Sequence, residues 1–433
     1  MRARASGLGL LVTAATAAAF VVAAPPSQAG TTGVTLSAGS YTIDTSALTF
    51  TGPSVSLTGR DVGGTAVFRF SALTIPAAAT ITVSGSRPVE LVAAGTMTVA
   101  GTVIADGGDA TTSDATPGAA GPGAGAGGAG QSPSGTWGVG GGSGGGGTAS
   151  GKSSGGGGGA FGGNGAAGGK TNSDDHAGVG GSAYGNLNSS IQGGSGGAGA
   201  SSVAGGGGGG AVVLRAKSLA IAGTGLVRTD GGSGAGGANG ASGGGSGGGI
   251  LLHADALSIH GTLQANGGAG GGGGCCGDGG GGGGGRIALQ YRTYDAAPVA
   301  LSVAGGASGA VGSGVKSPQT NGSDGVVTYR TIATTSLSVG RSRTVHRGRG
   351  VSVTTRLSNA VTGKVVARQH VVLYQRSSPK RHWTKVAVRS TSRRGTAIVH
   401  LTARRSMQYR WRYAGDWWHA AATSPVQTVH VRR

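Results

Sequence analysis

The sequence is poor in aromatic residues and in cysteine. Aromatic residues make up 4% of the 433 residues, and cysteine occurs twice, as the adjacent pair Cys275 and Cys276. A chain with so few aromatic side chains ordinarily suggests disorder or low complexity. Two cysteines are too few ligands for a zinc site, so in an oxidising compartment they predict a disulfide. Either a vicinal disulfide or pairing between chains satisfies that prediction.

Long apolar runs are almost absent as well. The exception is residues 8–24, which follow the basic start MRAR and precede small residues at Ser27 and Ala29. This layout predicts a secretory signal peptide over residues 1–29. An uncleaved anchor is the alternative, but the run is short and rich in alanine for a membrane span. We therefore expect a mature protein without a transmembrane span that is secreted, extracellular or associated with the cell wall.

Glycine is abundant instead, with 99 residues concentrated in blocks over 107–211, 231–249 and 267–285. Three similar segments, 89–108, 212–232 and 250–268, flank these blocks, and their apolar residues alternate as in β-strands. Short strand units bury their apolar faces only when they stack. The pattern therefore predicts an all-β fold, with a right-handed parallel β-helix over residues 30–331.

Each of the three segments also contains a Gly-Thr pair and an Asx-Gly pair. The Asx-Gly pairs predict tight corners with a left-handed glycine. The Gly-Thr pairs begin at Gly101, Gly223 and Gly261, and the Asx-Gly pairs begin at Asp106, Asp230 and Asn266. The glycine blocks themselves allow two interpretations, disordered loops or polyglycine-II strands packed beside the β-helix.

Acidic residues are nearly missing from residues 332–433, which contain 20 Lys and Arg and the single acid Asp416. The basic charge therefore belongs to one module, with a boundary after Thr331. Seven predicted strands give this module the pattern of a β-sandwich. Trp383 is expected on a central strand, and the aromatic residues of 409–413 are expected to face the core while the arginines face solvent.

Two resemblances follow from these residues. The body with its three aligned segments resembles the glycine-rich parallel β-helix regions of secreted bacterial proteins. The C-terminal module resembles the bacterial immunoglobulin-like domains of actinobacterial surface and wall proteins. The residues that carry the second likeness are Thr362-Gly363, Val371-Val372-Leu373, Trp383 followed by Val386, and Tyr409 with Tyr413-Ala414-Gly415-Asp416. That resemblance implies a spacer or adhesive module.

A module with this charge is expected to bind polyanions, in a salt-sensitive way. Codon bias is the alternative explanation for the arginines, but it does not explain the missing acids. Outside a cell the expected partners are anionic cell-wall glycopolymers or other extracellular polyanions, with nucleic acid bound only nonspecifically. The predicted polyanion-binding residues are Arg341, Arg343, Arg347, Arg349, Lys380, Arg381, Arg393, Arg394, Arg404 and Arg405.

Three functions are compatible with this organisation. The first is a non-catalytic envelope or matrix scaffold that self-associates or acts as a spacer and is tethered by the basic module. The second is a carbohydrate-active β-helix enzyme, a lyase or hydrolase, but we identify no catalytic constellation, cofactor site or metal site. The third is an adhesin that contacts a sugar or partner through Trp417 and Trp418, for which one tryptophan capping the sandwich is the alternative.

Overall fold

The computed structural model describes residues 33–111, 116–130, 136–140, 154–170, 176–187, 191–274, 276–296, 300–310, 320–416 and 418–433. The predicted signal peptide, Cys275 and Trp417 lie outside these residues. Every regular element in the described part of the chain is a strand, which confirms the all-β prediction. Within the same residues, no helix is long and apolar enough to cross a membrane.

Seventeen described strands precede residue 332. They are β1 (Val34–Thr35), β2 (Gly39–Asp44), β3 (Thr49–Gly52), β4 (Val55–Thr58), β5 (Arg60–Val62), β6 (Thr65–Phe70), β7 (Leu73–Ile75), β8 (Ala79–Ser84), β9 (Val89–Val99), β10 (Thr102–Ile104), β11 (Ala211–Ile221), β12 (Leu226–Arg228), β13 (Gly249–Ile259), β14 (Thr262–Gln264), β15 (Arg286–Ala296), β16 (Ala300–Ser302) and β17 (Val326–Thr331).

From β9 onward the chain alternates between two sheets. The first sheet contains β9, β11, β13, β15 and β17 in that order, and the second contains β10, β12, β14 and β16. All neighbours in both series pair in parallel. Val212 pairs with both Val89 and Ile250, which confirms the alignment of the long strands of the three repeated segments, apart from a register shift between Ala216 and Ser218.

Identical side chains stack across the first sheet and form the core between the two sheets. Leu91, Leu214, Leu252 and Leu289 occupy paired positions on four successive strands, and each is fully buried. A buried leucine contributes about 1.5–3 kcal/mol of transfer free energy. The repeat therefore stabilises the fold only as a stack, because each leucine is covered by its counterparts in the neighbouring strands.

One detail of the sequence alignment is wrong. Leu226, rather than Thr224, pairs with Thr102 and Thr262, and Gly225 takes the position of Gly101 before the second strand. A turn of two extra residues before β12 shifts the Gly-Thr pair out of register. A glycine is kept at this corner because a Cβ on Gly225 would collide with the carbonyl oxygen of Val99 in the previous repeat.

Three described glycine segments are buried rather than exposed to solvent, which for these segments favours polyglycine-II packing over disordered loops. Residues 205–210, 243–248 and 279–285 are buried, and they connect the second sheet of one repeat to the first sheet of the next. Their backbone N–H groups donate to carbonyl oxygens of neighbouring glycine segments at about 2.7–3.1 Å. We call this assembly the glycine bundle.

Hydrogen bonds in the glycine bundle repeat every three residues. The N–H groups of Gly205 and Gly208 donate to Gly128 and Gly125, whereas those of Gly206 and Gly209 donate to a different segment, at residues 243 and 246. The N–H groups at 207 and 210 reach a third segment, at residues 108 and 105. Successive residues therefore bond to three different neighbouring segments, and the pattern repeats after three residues. This is the geometry of the polyglycine-II helix, which has three residues per turn.

Nine described strands follow residue 332. They are β18 (Thr335–Val339), β19 (Arg343–His346), β20 (Gly350–Asn359), β21 (His370–Arg376), β22 (Thr384–Ser390), β23 (Thr396–Thr402), β24 (Met407–Tyr413), β25 (Ala422–Thr423) and β26 (Gln427–Arg432). One sheet has the order β18-β20-β23, and the other has the order β19-β26-β24-β21-β22 with β25 beside β24. A separate hydrophobic cluster lies between these sheets.

The alternation predicted for β24 is confirmed, because Tyr409, Trp411 and Tyr413 are buried in this cluster while Arg410 and Arg412 lie on the other face. The expectation for Trp383 is wrong. This residue precedes β22, is half-buried and lies beside arginines outside the hydrophobic cluster. Trp411 fills the central core position instead.

Candidate functional site: an arginine-rich end and an inter-sheet cleft

All ten predicted polyanion-binding residues are exposed in the structure. The strand topology gathers most of them at one end of the C-terminal sheets. His346 at the end of β19 pairs with Arg432 in β26, and the N–H of Gly348 donates to the carbonyl oxygen of Ala403 at 2.8 Å. The 347–349 turn, the 403–406 loop and the end of β26 are therefore neighbours.

We call this surface the arginine end. It consists of Arg343, Arg347, Arg349, Arg404, Arg405, Arg432 and Arg433, all of them exposed. Arg432 and Arg433 were not among the predicted binding residues, although two arginines after the last predicted strand could have indicated them. Strand pairing alone brings these residues together, since β19 and β26 are 80 or more residues apart in the chain.

The remaining predicted residues lie elsewhere on the C-terminal unit, which is the pair of sheets formed by residues 332–433. Lys380 and Arg381 follow Arg376, which pairs with Gln408 at the start of β24, so they lie toward the arginine end. The turn with Arg393 and Arg394 is at the opposite end, because β23 begins after it. Arg341 lies between the ends, where its carbonyl oxygen accepts a hydrogen bond from the side chain of Gln427 at 3.1 Å.

The single acid of residues 332–433 is engaged away from the arginine end. Asp416 accepts hydrogen bonds from His419 Nδ1 at 2.9 Å and from the backbone N–H of Trp418 at 2.7 Å. Burial raises the pKa of Asp416, but the hydrogen bonds from His419 and Trp418 outweigh burial and leave the pKa below its usual value. Because Asp416 is held there, no Asp or Glu side chain of residues 332–433 neutralises the arginine end.

Trp418 lies at the junction between the two units rather than on an open surface. The guanidinium of Arg330, on β17, lies 4.0 Å from the centroid of its ring. The backbone carbonyl oxygen of Trp418 accepts a hydrogen bond from Ala333 at 2.9 Å. These contacts fix the end of the first unit against the loop after β24. Trp417, the other residue predicted to contact a sugar, lies outside the described residues.

A cleft of about 640 Å³ opens beside this junction. Its walls include His253 and Arg215 from the parallel sheet and Arg368, Tyr413 and Asp416 from the C-terminal unit. Burial, reinforced by the nearby charge of Arg215, lowers the pKa of His253 to about 4. The imidazole accordingly stays neutral at pH 7, with Nδ1 at 2.9 Å from Gln290 Oε1.

The Asx residues of the repeat form a ladder instead of the predicted corners. Asp106 Oδ1 accepts the N–H of Asp230 at 2.9 Å, Asp230 Oδ1 accepts the N–H of Asn266 at 2.6 Å, and Asn266 Oδ1 accepts the N–H of Ala304 at 2.8 Å. The glycines that follow are not left-handed. An amide oxygen serves this purpose as well as a carboxylate oxygen, which explains why the third copy can be asparagine.

The Asx ladder is also electrostatically strained at one position. Burial raises the pKa of Asp230 to about 6, and the like charge of Asp106 adds to this effect. The hydrogen bond to the N–H of Asn266 and the charge of Arg228 oppose it. Arg228 itself is paired mainly with Asp106, at 2.6 Å, and lies 3.9 Å from Asp230.

Cys276 is buried and disulfide-bonded. Cys275, the other cysteine of the sequence, lies outside the described residues. Within the residues that the structure describes, no group of three or more His, Cys, Asp or Glu side chains is arranged to hold a metal ion. No protein-family model matches the chain. A comparison with curated proteins also yields no match.

Proposed function

We propose that this chain is an exported, non-catalytic protein of the cell envelope or extracellular matrix. Its first unit would be a right-handed parallel β-helix that serves as a spacer, and its second unit an immunoglobulin-like β-sandwich that tethers the spacer to anionic cell-wall glycopolymers. The signal-peptide pattern in the sequence supports export, and the alternation between two parallel sheets supports a β-helix.

The arginine end is the observation that carries the tether. Seven exposed arginines converge there from three parts of the unit, and the one acid of residues 332–433 is bound to His419 elsewhere. Like charges repel one another in the folded unit, so this arrangement costs stability unless a polyanion neutralises it. Binding releases counterions from the polymer, which makes the affinity high at low salt and steeply salt-dependent.

The glycine bundle supports the spacer role. Its segments are joined by backbone hydrogen bonds to several neighbours at once, so that bending one segment requires breaking contacts with the others. A rigid body of this kind would hold the basic C-terminal sheets at a fixed distance from the other end of the parallel sheets. Polyglycine-II packing achieves this rigidity without large side chains, which accounts for the low aromatic content.

The test is co-sedimentation of the mature protein with protein-stripped cell walls over a salt series, with the anionic wall polymers present or chemically removed. We expect binding that is lost both with added salt and with removal of the polymers. The matched variants are Arg404→Gln/Arg405→Gln at the arginine end and Arg393→Gln/Arg394→Gln at the opposite end. Both remove two adjacent exposed arginines, so net charge alone predicts equal effects.

We expect the 404/405 variant to reduce the slope of log affinity against log salt by roughly 2, one for each lost contact. The 393/394 variant should change it little. Failure of the wild-type protein to bind polymer-bearing walls at low salt would contradict the tether. Equal effects of the two variants would show that binding follows net charge rather than the arginine end.

A further inference from the structure

The outer face of the larger C-terminal sheet carries a second group of cations that sequence reasoning did not single out. On β24, Arg410 and Arg412 point away from the core, opposite the buried Trp411. Tyr374 lies directly across from Arg410 on one side and from Lys385 on the other. Directly opposite residues in antiparallel strands are about 5 Å apart, so these side chains form one continuous row.

Trp383 lies across this row and orders two of the arginines. The guanidinium carbon of Arg376 is 4.5 Å from the centroid of the indole ring, and that of Arg410 is 4.3 Å from it. Arg376 is fixed further, because it donates to Gln408 Oε1 at 2.8 Å and to the carbonyl oxygen of Pro379 at 3.1 Å. We call Arg376, Trp383 and Arg410 the tryptophan platform.

Arg410 is the unsatisfied member of this platform. Its Nε atom is buried and has no hydrogen-bond partner among the described residues. Burial lowers the pKa of Arg410, and the neighbouring charges of Arg376 and Arg412 lower it further. The side chain therefore has one donor, the Nε–H group, without an acceptor, and the indole ring lies 4.3 Å from its guanidinium carbon. A stacked guanidinium keeps its N–H donors in the plane of the group, where they match the two oxygens of a carboxylate or phosphate.

We infer that the tryptophan platform is a binding site for an anionic group on a glycan chain, with Arg410 as the main contact and with Arg412 and Lys385 beside it. This inference rests on the proposed function and adds a specific site to it. The positive charge of this face is complementary to an anionic group, since no acid of residues 332–433 lies on it. The ring surface that the guanidiniums cover is closed to a nucleobase, which favours an anionic glycan over single-stranded nucleic acid.

The experiment measures binding of the full mature protein to two defined glycans, a uronic-acid polymer and a polyol-phosphate polymer, both at low salt and in about 0.15 M salt. A neutral polysaccharide and a single-stranded oligonucleotide of equal charge are the reference ligands. The matched variants are Arg410→Gln on the platform and Arg356→Gln, an exposed arginine on the other sheet. Each removes one positive charge.

We expect Arg410→Gln to weaken binding of at least one anionic glycan tenfold or more, because it removes a charge-assisted bidentate contact. Arg356→Gln should weaken it less than about twofold. Trp383→Leu should resemble Arg410→Gln and leave the melting temperature nearly unchanged, since Trp383 lies outside the core cluster. The glycan that loses affinity identifies whether the anion is a carboxylate or a phosphate.

Equal losses for Arg410→Gln and Arg356→Gln would overturn the platform and leave the tether through the arginine end intact. Equally tight, equally Arg410-dependent binding of the oligonucleotide would overturn the assignment to a glycan. Absence of wild-type binding to every anionic polymer at low salt would overturn both this inference and the proposed function. Loss of binding in the 404/405 variant alone would support the proposed function and overturn the platform.

Discussion

Substituting Gly271, whose carbonyl oxygen accepts a hydrogen bond from Gly279 of the glycine bundle, should damage the fold, whereas substituting the adjacent Gly272 should not. A Cβ on Gly271 would lie within 3.0 Å of the carbonyl group of Ala235, and both belong to backbone segments that cannot move independently. The N–H of Gly271 also donates to the carbonyl oxygen of Ser242 at 2.9 Å. Gly272 is exposed, and a Cβ there would meet its nearest atom at 3.6 Å, an ordinary contact.

The expected magnitude follows from these contacts. Overpacking in a close-packed interior costs about 1–3 kcal/mol, and here the obstructing atoms are backbone, so we expect at least about 2 kcal/mol for Gly271→Ala. That corresponds to a fall in melting temperature of roughly 3 °C. Gly272→Ala should change the free energy of unfolding by less than about 0.5 kcal/mol, or raise it slightly by restricting the unfolded chain.

Differential scanning calorimetry gives the melting temperatures, and amide hydrogen exchange shows where protection is lost. For Gly271→Ala we expect faster exchange at Gly271 and at Gly279, whose N–H donates to the carbonyl oxygen of Gly271. For Gly272→Ala we expect exchange like that of the wild type. Equal stability and equal protection in the two variants would refute the close packing of the glycine bundle.

Three other changes test the Asx ladder, the core and the junction. Asp230→Asn should raise the free energy of unfolding at pH 7 by up to about 3 kcal/mol and change it little at pH 4. The reason is that the raised pKa of Asp230 costs stability as the pH rises from about 4 through about 6, and asparagine carries no charge. Urea unfolding at both pH values measures the difference. Leu252→Ala should cost about 2–5 kcal/mol in urea unfolding, whereas Leu57→Ala, at an exposed strand position, should cost less than about 1 kcal/mol. Arg330→Ala should cost about 0.5–2 kcal/mol and change the fluorescence of Trp418, and an unchanged emission spectrum would contradict the stacking at the junction.

The strands of the repeat could be predicted from the sequence because the alternation of apolar and polar residues is a local pattern. Alternation in 212–221 and 250–259 predicts one buried face, and equivalent residues such as Leu214 and Leu252 do pair. The Gly223-Thr224 pair misled the alignment because a turn can gain two residues without disturbing the strands around it. The glycine equivalent to Gly101 is Gly225, which must be glycine because a Cβ there would collide with the carbonyl oxygen of Val99 in the previous repeat. No local pattern reveals a contact of this kind.

The Asx positions were found, but their role was not. Asp-Gly in a sequence is a common turn signal, and nothing local distinguishes it from an Asx residue that accepts a hydrogen bond from the next repeat. The partners of Asp106 and Asp230 are 124 and 36 residues away along the chain. Similarly, the pattern around Trp383 predicted a position on a central strand, whereas the residue precedes an edge strand and stacks with arginines from two other strands.

Local patterns were enough to predict that this protein is all-β and that a stacking repeat precedes a basic module with one acid. These properties follow from alternation, repetition and composition, which need no knowledge of distant contacts. Three other features become visible only in the folded chain: the glycine segments pack into a bundle, seven arginines share one end, and Arg376 and Arg410 both stack on Trp383. Each of these depends on backbone segments that lie far apart in the chain, and their proximity is set by strand pairing and hydrogen bonding across the whole fold.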